Sequence, residues 1–180
     1  MKRFLFLFAI FSFVIAEEKA DSLGNKLPLK SDRRITFTTN EGTWMSLDIS
    51  PNGKSIIFDL LGDIYTIAYK GGKAKRLTSG IAFDSQPVYS PDGKNISFIS
   101  DRGGSENLWI AAVNGDKPKQ LSKSKDGQFS SPVFSTDGKY VYVSKTSWPQ
   151  RTFEIWMYHV SGGSGIQITK AKSKPDQKGS

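Results

Sequence analysis

The sequence has no cysteine in its 180 residues, so disulfides, thiol catalysis and cysteine-based zinc sites are excluded. It has one histidine, His159, which rules out a metal centre built from two or three histidines within these residues. It has no Gly-x-Ser-x-Gly elbow of the kind that presents a serine nucleophile. Beyond the first sixteen residues, no stretch keeps the 3.6-residue periodicity of an amphipathic helix. Long apolar runs are scarce too. The longest, Phe4 to Ile15, is interrupted by Ser12 and falls short of the roughly 20 residues that a membrane span needs.

Positive charge is in excess: 25 Lys and Arg against 17 Asp and Glu, for a net charge of +8. Lys2 and Arg3 belong to the amino-terminal segment, and Lys170, Lys172, Lys174 and Lys178 to a polar end. The other basic residues are scattered beside Asp and Glu. No basic stripe with interleaved stacking aromatics forms, so a nucleic-acid partner is not expected.

Lys2-Arg3, the apolar run and Val14-Ile15-Ala16 read as a secretory signal peptide over 1–16, with an uncleaved signal-anchor as the alternative. No cysteine follows the apolar run, so lipoprotein anchoring is excluded. The expectation is a periplasmic or secreted protein with no stable membrane span after cleavage. Residues 17–33 read as a polar linker and 171–180 as a disordered tail.

Between these segments the chain repeats itself. Ser50-Pro51-Asn52-Gly53-Lys54, Ser90-Pro91-Asp92-Gly93-Lys94 and Ser135-Thr136-Asp137-Gly138-Lys139 are three copies of one tight turn, 40 and 45 residues apart. Proline presets φ, Asp or Asn suits the third position, and glycine supplies the positive φ that closes the hairpin. Asn52 and Thr136 depart from the commonest residues and remain compatible with the turn. Each turn is preceded by a short β-like run and followed by another: Ile56-Ile57-Phe58, Ile96-Ser97-Phe98, Val141-Tyr142-Val143. An aliphatic–aromatic pair comes next: Ile64-Tyr65, Leu108-Trp109, Ile155-Trp156. From that aromatic the count is fixed, with glycine six residues on (Gly71, Gly115, Gly162), an aliphatic at twelve (Leu77, Leu121, Ile168) and a hydroxyl at thirteen (Thr78, Ser122, Thr169).

Four short strands per unit, in tandem units of 40–45 residues, predict β-propeller blades. The expected fold is all-β: an incomplete β-propeller over 34–170 with three four-stranded antiparallel blades, near 44–79, 85–123 and 130–170. Arg34-Ile35-Thr36 matches the ends of the fourth strands, so it is expected as an N-terminal ring-closing strand. Tyr65, Trp109 and Trp156 are expected in the layers between blades. Three blades leave a bare face at each end, whereas closed propellers have about four to eight. Three readings follow: the first part of a larger protein, a truncated reading frame, or a subunit that completes its ring with another chain.

The Ser-Pro-Asp-Gly-Lys turn followed by Ile96-Ser97-Phe98-Ile99-Ser100-Asp101-Arg102 resembles the TolB-type propeller repeat, across residues 34–170. Glu41-Gly42-Thr43-Trp44, Phe58 to Tyr65, Gln86-Pro87 and Trp156-Met157-Tyr158-His159 with Gly162-Gly163 further resemble the propeller at the front of exported amidohydrolase-family proteins. That resemblance implies a metal-dependent hydrolase domain after the propeller. Its ligand histidines have no counterpart here, so no catalytic, cofactor-binding or metal-binding residue is carried over. The function expected is a non-catalytic scaffold or a surface for a protein or peptide. The alternatives are a fragment of a metal-dependent amidohydrolase lacking its catalytic domain, or a TolB-like cell-envelope interaction protein. The partners expected are missing blades or a hydrolase domain, in cis or from another chain.

Individual residues read as structural. His159 is expected on the face opposite Trp156, in a surface or packing role. Asp59 and Asp101-Arg102 are expected in loops between second and third strands, with Asp capping its own loop and Arg102 pairing across a blade interface. Ser161 to Gly165 is glycine-rich but opens no helix and lacks a phosphate-loop lysine. Asn95-Ile96-Ser97 matches a glycosylation acceptor at the start of a strand and carries no expected role.

Overall fold

The computed structural model describes residues 35–146 and 152–170. The segments read as signal, linker and tail lie outside the described residues. Among the described residues there is no helix, and the strands form three four-stranded antiparallel sheets. Blade 1 holds β1 (Leu47–Ile49), β2 (Ser55–Leu60), β3 (Asp63–Ala68) and β4 (Lys75–Arg76). Blade 2 holds β5 (Asp84–Tyr89), β6 (Asn95–Ser100), β7 (Asn107–Ala112) and β8 (Lys119–Gln120). Blade 3 holds β9 (Gln128–Phe134), β10 (Tyr140–Thr146), β11 (Glu154–His159) and β12 (Ile166–Gln167). Strands follow chain order within each sheet, and the three sheets do not close into a ring. This is the partial propeller that the repeats predict.

Each repeated residue has a physical task. In the turns, the Ser90 hydroxyl donates to Asp92 Oδ1 at 2.6 Å and accepts from Asn95 N at 2.9 Å, while Lys94 N donates to Asp92 Oδ1 at 3.0 Å. Ser135 and Asp137 repeat the pattern, and Asn52 substitutes for aspartate because only its carbonyl oxygen is used. The hydroxyl thirteen residues after the aromatic closes the far end of each blade. Thr78, Ser122 and Thr169 each accept from the backbone N–H of Ile64, Leu108 and Ile155, all at 2.9 Å. These three N–H groups belong to the second residue of the third strand, where the ladder offers them no other acceptor.

Directly opposed residues in an antiparallel pair share a face. In blade 2, Ile96, Phe98, Trp109 and Ala111 pack toward blade 1 with Ile57 and Ile64, while Ile99, Leu108, Ile110 and Leu121 pack toward blade 3 with Val141, Val143 and Tyr158. The core is thus two apolar layers, one on each side of blade 2. Gly115 has φ +89 and lies so close to blade 1 that a Cβ would sit 2.4 Å from the Leu77 carbonyl oxygen. Glycine is required there on both counts.

Two expectations are corrected. Residues 35–39 are exposed and belong to no ladder, so the ring-closing strand is not formed among the described residues. A β-branched run becomes a strand only where an adjacent edge offers N–H and C=O groups, and no blade presents one to it. Tyr65 also lies outside the inter-blade layers. It stacks on Phe58 at 5.7 Å on the face of blade 1 that no blade covers. Trp109 is buried in the first layer, and Trp156 packs against the second.

Candidate interaction surfaces

Chain direction gives the two ends of the blade stack different chemistry. The three tight turns and the loops from third to fourth strands lie at one end, the turn end. The loops from second to third strands and the connections between blades lie at the other, the loop end.

At the turn end two equivalent grooves run between neighbouring turns. One of about 390 Å³ is lined by Pro51, Asn52, Thr66, Tyr89 and Asp92, and one of about 350 Å³ by Pro91, Asp92, Phe134 and Asp137. The Ser90 hydroxyl and the Lys94 amide hold Asp92 below the usual carboxylate range, and Ser135 and Lys139 do the same for Asp137. Those carboxylates are engaged in closing their own turns.

The loop end carries three of the links between blades described here. Asp59 lies within β2 and is buried, where a loop position was expected. Its Oδ1 accepts from Ser46 N at 2.8 Å in its own blade, and its Oδ2 from Gln86 N at 2.6 Å in blade 2. The Gln86 side chain then passes the link on, its Oε1 accepting from Ser131 N of blade 3 at 2.6 Å. Gln86 and Ser131 both have φ +54 and sit where the pairing of β5 and β9 slips its register. The bulge turns each N–H out of its ladder toward the preceding blade. Toward the turn end Asp48 Oδ2 accepts from Tyr89 N at 2.8 Å, and at the loop end Glu106 Oε1 accepts from Phe129 N. In all four links a side chain of the earlier blade accepts from the backbone of the later one. Sequence reading missed this set. Its one visible trace is the repeated residue–proline pair, Gln86-Pro87 and Ser131-Pro132, ahead of the turns.

Arg102 pairs with Asp84 of its own blade, a correction to the cross-blade pairing expected, and its guanidinium lies 5.3 and 5.5 Å from the Phe98 and Trp109 rings. Asp101 does not cap its own loop; Oδ1 accepts from Phe83 N at 2.7 Å, where the chain enters blade 2. Asp63 forms an ion pair with Arg76 at 3.4 Å, yet burial outweighs that cation and pushes its carboxyl upward, assisted by nearby Asp84. Lys145 lies 4.2 Å above the Trp156 ring, and burial lowers its ammonium. His159 is exposed, edge-on to Tyr140 at 5.1 Å and 2.6 Å from the Ser161 hydroxyl. Gly162 N donates to His159 O at 2.8 Å, so the glycine-rich stretch closes a strand connection. Asn95 opens β6 in the middle of a blade.

The loop end also exposes large apolar side chains. Trp44, Leu61, Ile81, Phe83 and Phe153 all project there, with Trp44 fully exposed at φ +59. Phe83 lies over the β2–β3 turn, 3.1 Å from where a Cβ on Gly62 would be. In the loops of the turn end Tyr69 and Val113 are the exposed large apolar residues among those described, with Ile49, Val133 and Ile166 exposed on the strand ends beside them.

The chain is 30% identical over 133 residues to the Tol-Pal system protein TolB of Helicobacter hepaticus, covering 69% of this chain and 31% of that protein. A solved structure from Agrobacterium tumefaciens assigned as TolB superposes with a TM-score of 0.62 at 25% identity, covering 71% of this chain and 50% of that one. TolB from Acinetobacter baumannii gives a TM-score of 0.59 at 27% identity, covering 73% of this chain and 34% of that one. The chain thus spans between about a third and half of the length of these proteins. The family described as the TolB beta propeller domain matches residues 18–178, and the chain belongs to that family.

Proposed function

We propose that this chain is an exported, non-catalytic propeller module whose loop end docks a protein or peptide partner in the cell envelope. The observation that carries the reading is the apolar rim of Trp44, Leu61, Ile81, Phe83 and Phe153, concentrated at one end of the blade stack. Such a rim on a rigid support is the composition of a protein contact: aromatic anchors bury apolar area and lose little side-chain entropy on docking. The support is rigid because Asp59 and Gln86 fasten the blades just beneath it. The signal-like segment 1–16 and the likeness to a Tol-Pal protein support a periplasmic or secreted location. A hydrolase parent, implied by the resemblance to amidohydrolase-associated propellers, concerns residues other than these.

The test is a photo-crosslinking residue placed at Phe83 or, as control, at Tyr69, in cells expressing the whole chain. A discrete protein adduct from position 83 and none from position 69 is expected. Equal labelling from both positions, or none from 83, refutes the loop-end assignment. Fractionation of the same cells checks the location, and retention in the cytoplasm refutes export.

A further inference from the structure

The two turn-end grooves share one frame and differ in chemistry. In each, the proline of one turn lies against the glycine of the next: a Cβ on Gly93 would sit 3.7 Å from Pro51 Cδ, and a Cβ on Gly138 would sit 3.7 Å from Pro91 Cδ. The side chains at equivalent places on that frame are not alike. Thr66 of β3 lines the first groove where Ile110 of β7 lines the second, and Tyr89 of β5 stands where Phe134 of β9 stands. Asn52 closes the proline-bearing turn of the first groove, and Asp92 closes that of the second. Lys75 lies opposite Thr66 in the β3–β4 pair and lines the first groove. Its counterpart Lys119, opposite Ile110, donates to the Ser161 carbonyl instead.

The first groove therefore holds polar groups with bonding capacity to spare. Tyr89 is 8% exposed, and its hydroxyl meets Thr66 Oγ1 at 3.5 Å, the far limit of a hydrogen bond. A phenol placed so deeply is ordinarily paired. Asn52 Oδ1 accepts both turn bonds, from the Ser50 hydroxyl at 2.9 Å and from Lys54 N at 3.0 Å, which leaves the NH2 group over. Aspartate closes the same turn in blades 2 and 3, so the amide is distinguished by the donors it adds, not by the turn it makes. Asp92, on the other rim, closes its own turn through Oδ1 and keeps Oδ2, and those turn bonds hold it ionised at neutral pH.

We propose that the groove between the turns of blades 1 and 2 binds a saccharide of one or two rings. Its volume of about 390 Å³ lies in the range of small-ligand sites. Asn52 and Lys75 supply donors, Asp92 an acceptor, and the Tyr89 and Thr66 hydroxyls serve as either. A sugar hydroxyl both donates and accepts, so it answers every member of this mixed set. Pro51, Leu77 and Val113 add apolar surface for the C–H face of a ring. The charges of Lys75 and Asp92 offset one another, and an anion such as phosphate would meet an ionised carboxylate on the rim. The second groove, with Ile110, Phe134 and a carboxylate on both rims, lacks the set. This site lies at the opposite end of the stack from the rim proposed to dock a protein, and it does not depend on that reading.

The repeats supply the test variants. Tyr89→Phe gives the first groove the residue that the second carries, and Asn52→Asp gives its turn the residue that the other two carry, so both changes are compatible with the fold; circular dichroism checks this. Glucose, N-acetylglucosamine, maltose and cellobiose are titrated into the full chain by calorimetry, with saturation-transfer NMR for weak binding. At least one is expected to bind. Each substitution removes hydrogen bonds to the sugar and is expected to weaken that binding about tenfold, while Phe134→Leu in the second groove leaves it unchanged. Binding of none of the four sugars overturns the proposal. Sugar binding that survives both Tyr89→Phe and Asn52→Asp overturns the site. Binding of inorganic phosphate or glycine in place of the sugars, weakened by Asn52→Asp, overturns the ligand class in favour of an anion or a zwitterion.

Discussion

Asp59→Ala removes the carboxylate that fastens blade 1 to blade 2. Two backbone donors lose their acceptor together, Ser46 N at 2.8 Å and Gln86 N at 2.6 Å. A hydrogen bond to a charged group contributes about 1.5–3 kcal/mol, and a stranded donor costs most where water cannot reach it. Ser46 and Gln86 are both partly exposed, so water recovers some of the loss and the lower end applies to each. The expected cost is about 3 kcal/mol, a large share of a domain stability of about 5–15 kcal/mol. Asp59→Asn keeps one acceptor oxygen but turns an NH2 group toward the other donor, and is expected to cost about half as much. Urea unfolding at pH 7 and fixed protein concentration measures both. Trp109 fluorescence reports on this layer, because the ring is buried between blades 1 and 2, once the other three tryptophans are replaced by phenylalanine in both the reference and the variants. Amide exchange adds a local readout: protection is lost at Gln86 and kept at Ser131, whose acceptor is the untouched Gln86 side chain. A cost for Asp59→Ala below about 1 kcal/mol, or equal loss of protection at both amides, refutes the link as described.

The blade-closing hydroxyls supply an internal comparison. Ser122 is fully buried and also donates to Asn107 Oδ1 at 2.8 Å, whereas Thr169 makes the same backbone bond in an exposed setting. Ser122→Ala is expected to cost about 2–3 kcal/mol and Thr169→Val under 1, read from urea midpoints, and equal costs would refute the burial argument. Tyr158, pushed up to about 12 by burial, provides a pH test. Its neutral form is favoured in the fold, so its contribution is fully present below the unfolded value of about 10 and is lost as pH rises toward the folded one. Alkaline unfolding in that window, shifted upward in Tyr158→Phe, is expected by circular dichroism; an unchanged profile in the variant counts against it.

Local chemistry made the blades legible in the sequence. The three turns announce themselves because Ser, Asp or Asn, and Gly act within five residues of one another. The hydroxyl thirteen residues after the aromatic was visible as a count, although its reason, a bond to an N–H near the start of the third strand, needs the folded blade. What stayed hidden depends on partners far along the chain. Asp59 reads as a loop residue because a carboxylate inside a strand is uncommon, and only the bulge of another blade accounts for it. Tyr65 and Trp109 share one motif yet differ in burial, since place in the stack, and not the motif, decides what covers them. Arg102 was expected to reach across an interface, but Asp84, brought opposite Ser100 by the β5–β6 register, is nearer.

Four side-chain links between blades point the same way: Asp48, Asp59, Gln86 and Glu106 accept from the backbone of the blade that follows, whereas Lys119 of blade 2 donates to the Ser161 carbonyl of blade 3. A chain is made amino terminus first, so each of these four acceptors is synthesised before its donor. Blade 1 can therefore serve as a template on which blade 2 aligns, and blade 2 as the template for blade 3. At these four contacts the order of synthesis and the order of bonding coincide, each blade meeting an acceptor already laid down by the one before it.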